Sequence, residues 1–285
     1  MKKISFNNCF NNRFNNLPRV TDPWKVRRFL IICLLISNNT PSVLKAQNVD
    51  FNANRPIKIN NLHQFNDSSF ISRYASLQLI IEPIYGNNQL VIDTYLPLSK
   101  TDSVQITLLK FYLSNIELLN DKKTVWQESN SVHLMDLEDI NSLRIALNVP
   151  KSIEFNSIKM NLGIDSLTNV SGALGGDLDP TRGMYWAWQS GYINFKLEGK
   201  SPICPTRKHA FQFHLGGYLG TDYAMQPIDF QLSKPVFDTI TLQLNIQDFL
   251  SRIDLKQQNS IMIPSAEAVV LAQKVAQLFR LKSGN

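Results

Sequence analysis

Imidazole is scarce in this chain: His63, His133, His209 and His214 are its only histidines. Two of them are set like ligands. In Phe211-Gln212-Phe213-His214-Leu215-Gly216-Gly217, strand alternation sends Phe211, Phe213 and Leu215 to one side and His214 to the other, just before a glycine pair where the backbone can bend or approach closely. In Val132-His133-Leu134-Met135-Asp136, His133 likewise lies opposite Val132 and Leu134. Brought together across a sheet, the two imidazoles could make a low-coordinate copper site, with Met184 or Met135 as a soft thioether neighbour. The competing reading is that each is a hydrogen-bonded structural residue. His209 follows Arg207-Lys208 in an exposed-looking loop and His63 sits in a polar segment, so neither is favoured. No HExxH, CxxC or His-x-His spacing is present.

Aromatic side chains concentrate in one place. Met184-Tyr185-Trp186-Ala187-Trp188-Gln189-Ser190-Gly191-Tyr192 holds two of the chain's four tryptophans in nine residues. Such density reads either as a core plug at a sandwich end or as an oxidisable or ligand-lining cluster. Trp186 and Trp188 would also suit a non-metal binding module for a carbohydrate or apolar ligand. The carboxylates and amide at Asp165, Asn169, Asp177 and Asp179 read as turn chemistry, with a calcium site as the alternative because oxygen donors suit that ion. No nucleophile elbow, phosphate-cradling glycine loop or paired general acid and base is identifiable, so the chain is not expected to be an enzyme.

The elements that must position these residues are strands. Period-two alternation recurs at Leu77, Leu79 and Ile81; Ile158, Met160 and Leu162; Ile193, Phe195 and Leu197; Phe211, Phe213 and Leu215; Leu242, Leu244 and Ile246. Turn-forming clusters separate them, among them Tyr85-Gly86-Asn87-Asn88 and Asn120-Asp121-Lys122-Lys123. The pattern predicts an all-β fold, an antiparallel β-sandwich with a C-terminal α-helix. That helix is expected over Ala266 to Leu281, capped by Ser265, with Val269, Leu271, Val275, Leu278 and Phe279 as its apolar stripe.

Residues 25 to 46 read as a secretory signal: Lys25, Arg27 and Arg28, an apolar core from Phe29 to Ile36, then Leu44-Lys45-Ala46-Gln47, with cleavage expected after Ala46. The apolar core is well short of the roughly 20 residues a membrane-spanning helix needs. Cys33 lies within it, but Ile31 and Ile32 precede it where a lipobox wants small residues, which argues against lipid anchoring there. The leader, residues 1–46, carries eight of the 29 Lys+Arg and one of the 23 Asp+Glu, leaving 21 against 22 in residues 47–285, expected to form one domain. The formal net charge of +6 therefore belongs to the leader and gives no reason to expect nucleic acid or an anionic membrane as partner. Cys204 is the single cysteine after the leader, so no internal disulfide is expected. Localisation is expected to be periplasmic or secreted.

Several strings, in order, resemble the MbnP family of periplasmic copper-binding proteins associated with methanobactin-type copper handling. They are Phe111-Tyr112-Leu113-Ser114-Asn115-Ile116, Val132 to Asp136, Leu162-Gly163-Ile164-Asp165-Ser166-Leu167-Thr168-Asn169-Val170-Ser171-Gly172, Leu178-Asp179-Pro180, Gly183 to Trp188, Ser190-Gly191-Tyr192, Leu197-Glu198-Gly199 and Phe213 to Gly217. The resemblance implies a β-sandwich that binds copper through histidine and a tryptophan oxidised to kynurenine. It implies a dihaem partner resembling cytochrome c peroxidase, of the MbnH type, as the oxidant. Carried over, the ligands are His133 and His214, with Trp186 or Trp188 as the modified residue. Kynurenine offers an aryl amine and a carbonyl where indole has only an N–H donor. Copper(I) storage or delivery is the implied role.

Overall fold

The computed structural model describes residues 73–232 and 238–282. The expected leader with Cys33, and His63, lie outside the described residues. The chain enters on β1 (Tyr74–Tyr85), turns through Gly86 at φ 63° into β2 (Asn88–Gln89), and passes β3 (Tyr95–Pro97) to the 18-residue β4 (Ser103–Asn120). Next come β5 (Lys123–Gln127), β6 (Val132–Asp136), β7 (Arg144–Pro150) and β8 (Ser157–Leu162). After α1 (Ser166–Val170) and two 3₁₀ turns, the chain forms β9 (Tyr185–Trp186), β10 (Gly191–Lys200), β11 (Ala210–Gly216) and β12 (Gln226–Gln231). It closes with β13 (Thr239–Asn245), α2 (Ile246–Leu250), β14 (Ser260–Ile261), α3 (Ala266–Ala276) and β15 (Phe279–Leu281).

These strands form two sheets. The smaller has the order β15-β13-β1-β2, with β7 also on β1; the larger has the order β12-β8-β4-β10-β11-β14, with β3, β5 and β6 on β4 and β9 on β10. Their inner faces meet in the main core. Leu77, Leu79, Ile81, Leu147 and Leu242 from the small sheet pack with Phe111, Leu113, Met160, Leu197 and Phe213 from the large one. This is the expected all-β sandwich, its core made by the alternation read from the sequence.

Three details differ from expectation. Pairing is not antiparallel throughout: β1 runs parallel to β13, and β11 to β14. Parallel neighbours need long connections, so no local pattern announces them. Ile193 does not join Phe195 and Leu197 in the main core, because the β10–β11 register shifts between Ile193 and Phe195. The bulge turns Ile193 to the outer face of the large sheet. The C-terminal helix starts where expected, Ser265 Oγ accepting from Ala268 N, but ends at Ala276. Phe279–Leu281 pairs with the edge of β13 instead, giving its backbone ladder partners that a longer helix would forgo.

The outer face of the large sheet carries a second, smaller core. Tyr112, Leu134, Ile164, Leu178, Met184, Trp186, Tyr192 and Ile193 form it, all nine-tenths or more buried. Its cover is the excursion between β8 and β10. Among the bonds that pin that excursion down, Tyr112 Oη donates to Asp177 O at 2.9 Å, Tyr192 Oη donates to Leu178 O at 3.1 Å, and Leu134 N donates to Asp177 Oδ2 at 3.0 Å. Burial pushes the Tyr112 and Tyr192 hydroxyls above the ordinary phenol range, so both remain donors at neutral pH. No helix among the described residues is long and apolar enough to cross a membrane.

Candidate functional site

His214 sits on β11 opposite Lys196 of β10, which in turn sits opposite Lys110 of β4. Directly paired residues share a face, and this row lies on the outer face, with Tyr112 and its cluster. Phe211, Phe213 and Leu215 point into the main core, as the alternation required. His214 is only 5% exposed. Its Nε2 is 2.7 Å from Glu198 Oε1, on the next strand. The His214 hydrogen bond is the largest influence on Glu198 and holds its carboxyl below the ordinary range, outweighing burial, so Glu198 is an anion and accepts from the ring. A carboxylate on Nε2 fixes the ring orientation and leaves Nδ1 as the nitrogen not engaged by Glu198, the kind of arrangement in which histidine coordinates metals.

Trp186 shares this face. Its six-membered ring packs on Gly216, two residues along β11 from His214 and roughly 7 Å by strand geometry. A Cβ at Gly216 would stand 2.7 Å from the ring and 2.7 Å from Tyr192 O, so the glycine is what admits the indole. Trp186 is 6% exposed and Trp188 is 64% exposed, their ring centroids 6.1 Å apart and tilted by 49°. The two do not form a parallel platform. Met184, fully buried, completes the set on the outer face, whereas Met135 lies in the main core.

His133 is not brought to this place. Its partner across β4 is Leu113, whose side chain belongs to the main core, so His133 points to the inner side of the sheet. It is also three strands from His214, roughly 14 Å at ordinary strand spacing. The expected two-imidazole site is therefore not assembled, and the reason is geometric. Alternation correctly put His133 opposite Leu134, but Leu134 belongs to the outer cluster, and a period of two cannot say which face of a doubly covered sheet is which. His133 Nε2 bonds Glu128 Oε2 at 2.7 Å, and Ser131 Oγ donates to the same oxygen at 2.6 Å. His209 Nδ1 is 3.0 Å from Cys204 O.

The oxygen donors are occupied by backbone work. Asp165 caps α1, accepting from Thr168 N and Thr168 Oγ1. Asn169 Nδ2 donates to Ile164 O and Asp165 O while its Oδ1 accepts from Tyr192 N. Asp179 accepts from Thr181 N and Oγ1, bonds that hold its carboxyl below the ordinary range, and Asp177 accepts from Leu134 N. Among the described residues no three of His, Cys, Asp and Glu gather where they could hold a metal ion.

Lys196 had no place in the sequence reading of this site, Glu198 entered it only within the string Leu197-Glu198-Gly199, and Gly216 only as half of a glycine pair where the backbone can approach closely, which is how it receives the Trp186 ring. Glu198 is separated from His214 by 16 residues, and only the β10–β11 register brings them together. The donors on the outer face, one oriented imidazole and one thioether beside an indole, suit a soft ion of low coordination number.

A family model described as MbnP matches residues 74–263. Among solved structures, MbnP from Methylosinus trichosporium superimposes with a TM-score of 0.53 at 14% identity, over 69% of this chain and 87% of that one. At that identity the likeness concerns the fold. No curated protein matches.

Proposed function

Because the chain belongs to the MbnP family, we propose that it is a periplasmic copper-binding protein, not itself an enzyme, that stores or delivers Cu(I) held on the outer face of its large sheet. The observation that carries the reading is the placement of His214: buried, held through Nε2 by Glu198, and on the same face as Met184 and Trp186. His214 supplies the imidazole and Met184 a weak thioether. Trp186, packed two residues from His214, is the tryptophan suited to conversion to kynurenine, whose amine and carbonyl would add donors that indole lacks. Trp188 stands largely in solvent beside it. A dihaem enzyme of the MbnH type is the proposed oxidant. A two-tryptophan ligand clamp is disfavoured by the burial of Trp186 against Gly216.

The test is peptide mapping by mass spectrometry, with copper analysis, on protein recovered from its native compartment. The expected result is the kynurenine mass on the peptide fragment ion that contains Trp186 and not Trp188, with about one copper per chain. Unmodified tryptophans together with no copper would overturn the reading.

A further inference from the structure

Lys196 touches both halves of the candidate site. Its side chain is 15% exposed, and its Nζ donates to Gly183 O at 3.0 Å and lies 3.5 Å from Glu198 Oε1. Glu198 Oε1 is the atom bonded to His214 Nε2 at 2.7 Å. Gly183 stands at φ 75°, closes the 3₁₀ turn Pro180–Arg182, and immediately precedes Met184-Tyr185-Trp186. One ammonium therefore grips the carboxylate that orients the histidine and the carbonyl at the root of the segment that carries the thioether and the indole. The cross-strand neighbour Lys110 does not compete for Glu198, because Asp136 at 2.9 Å and Glu138 at 3.2 Å neutralise it.

We infer that Lys196 is a positioning residue that locks the Met184–Trp186 segment to His214 through Gly183 and Glu198. The inference rests on the copper reading above for what the lock serves, and on the metal-free geometry for its existence. Ammonium is suited to it: three rotatable donors on a flexible stem serve two acceptors in different directions. Methionine keeps the length and removes every donor. Arginine keeps charge and donors, though its planar fork matches the two acceptors less well.

The test uses the full chain and two readouts, the side-chain ¹⁵N–¹H spectra of metal-free protein and Cu(I) affinity by competition with a chromophoric chelator. Lys196→Met is expected to shift both the His214 ring and the Trp186 indole signals while leaving in place the indole of Trp126, which stands on β5 and packs against the main core, and to weaken Cu(I) binding about tenfold. Lys196→Arg is expected to stay within about threefold of wild type. Signals that move at only one of the two residues, or unchanged affinity in Lys196→Met, would overturn the inference. If the wild type binds no Cu(I), the copper reading falls and the metal-free spectra still decide the role of Lys196. Should Lys196→Met fail to fold, Glu198→Gln replaces it: a disturbance transmitted to the Trp186 indole is expected, and one confined to His214 would overturn the lock.

Discussion

Glu198 and Glu128 treat their histidines alike, each placing a carboxylate oxygen 2.7 Å from Nε2, yet the two pairs serve different ends. The Glu198 pair shares its face of the sheet with Met184 and Trp186, whereas the Glu128 pair, with Ser131, ties together the turn leading into β6. Burial works to raise the Glu128 carboxyl, but the bonds from His133 and Ser131 outweigh it and leave it below its ordinary 4.5. A depressed folded value contributes stability that is fully present above the unfolded value and is lost as pH falls through the folded one. Urea unfolding from about pH 5 down to pH 3 should therefore show a steeper loss of stability in the wild type than in Glu128→Gln; parallel curves would contradict the assignment. The orientation of His214 was legible in its own strand, since Phe211, Phe213 and Leu215 fix the opposite face. Its carboxylate was not, because the register that brings Glu198 alongside is set by pairing between distant strands.

Between elements, the decisive contact is the seating of β9 against β11. The bulge in β10 at Asn194 sends Ile193 outward and leaves Gly216 opposite it as bare backbone, on which the Trp186 ring rests. Gly216→Ala would put a methyl 2.7 Å from both that ring and Tyr192 O. Overpacking of this kind is expected to cost about 2 kcal/mol, roughly 6 °C in Tm for a protein of this size. Calorimetry with tryptophan fluorescence checks it: the melt should fall and the buried indole emission should shift red, and an unchanged melt would mean that the ring is not seated there. Alternation marked the strands contributing to both cores, but a bulge inserts one residue without a sequence signature and reverses the face of what precedes it. The helix start at Ser265 was legible from its cap, whereas its end was not, since β15 exists only because β13 offers an edge.

At the scale of the whole molecule, the sandwich follows from the number of half-buried strands and the scarcity of helical pattern, both visible in the chain. What the pattern lacked was the second layer: where the excursion between β8 and β10 lies over the outer face, the large sheet carries an apolar cluster on that side too, next to the polar row of Lys110, Lys196, Glu198 and His214. The two histidines expected to meet across a sheet are parted by the sheet itself. The family match covers both histidines, so membership alone does not choose between them; the proposal rests on His214 because it shares its face with Met184 and Trp186. The most direct test of the account is Cu(I) affinity of purified, matured protein in three forms: wild type, His214→Ala and His133→Ala. The account predicts a loss of about a hundredfold for His214→Ala, about 2.7 kcal/mol, with His133→Ala within about threefold of wild type. Equal losses in both variants, or none in either, would contradict it.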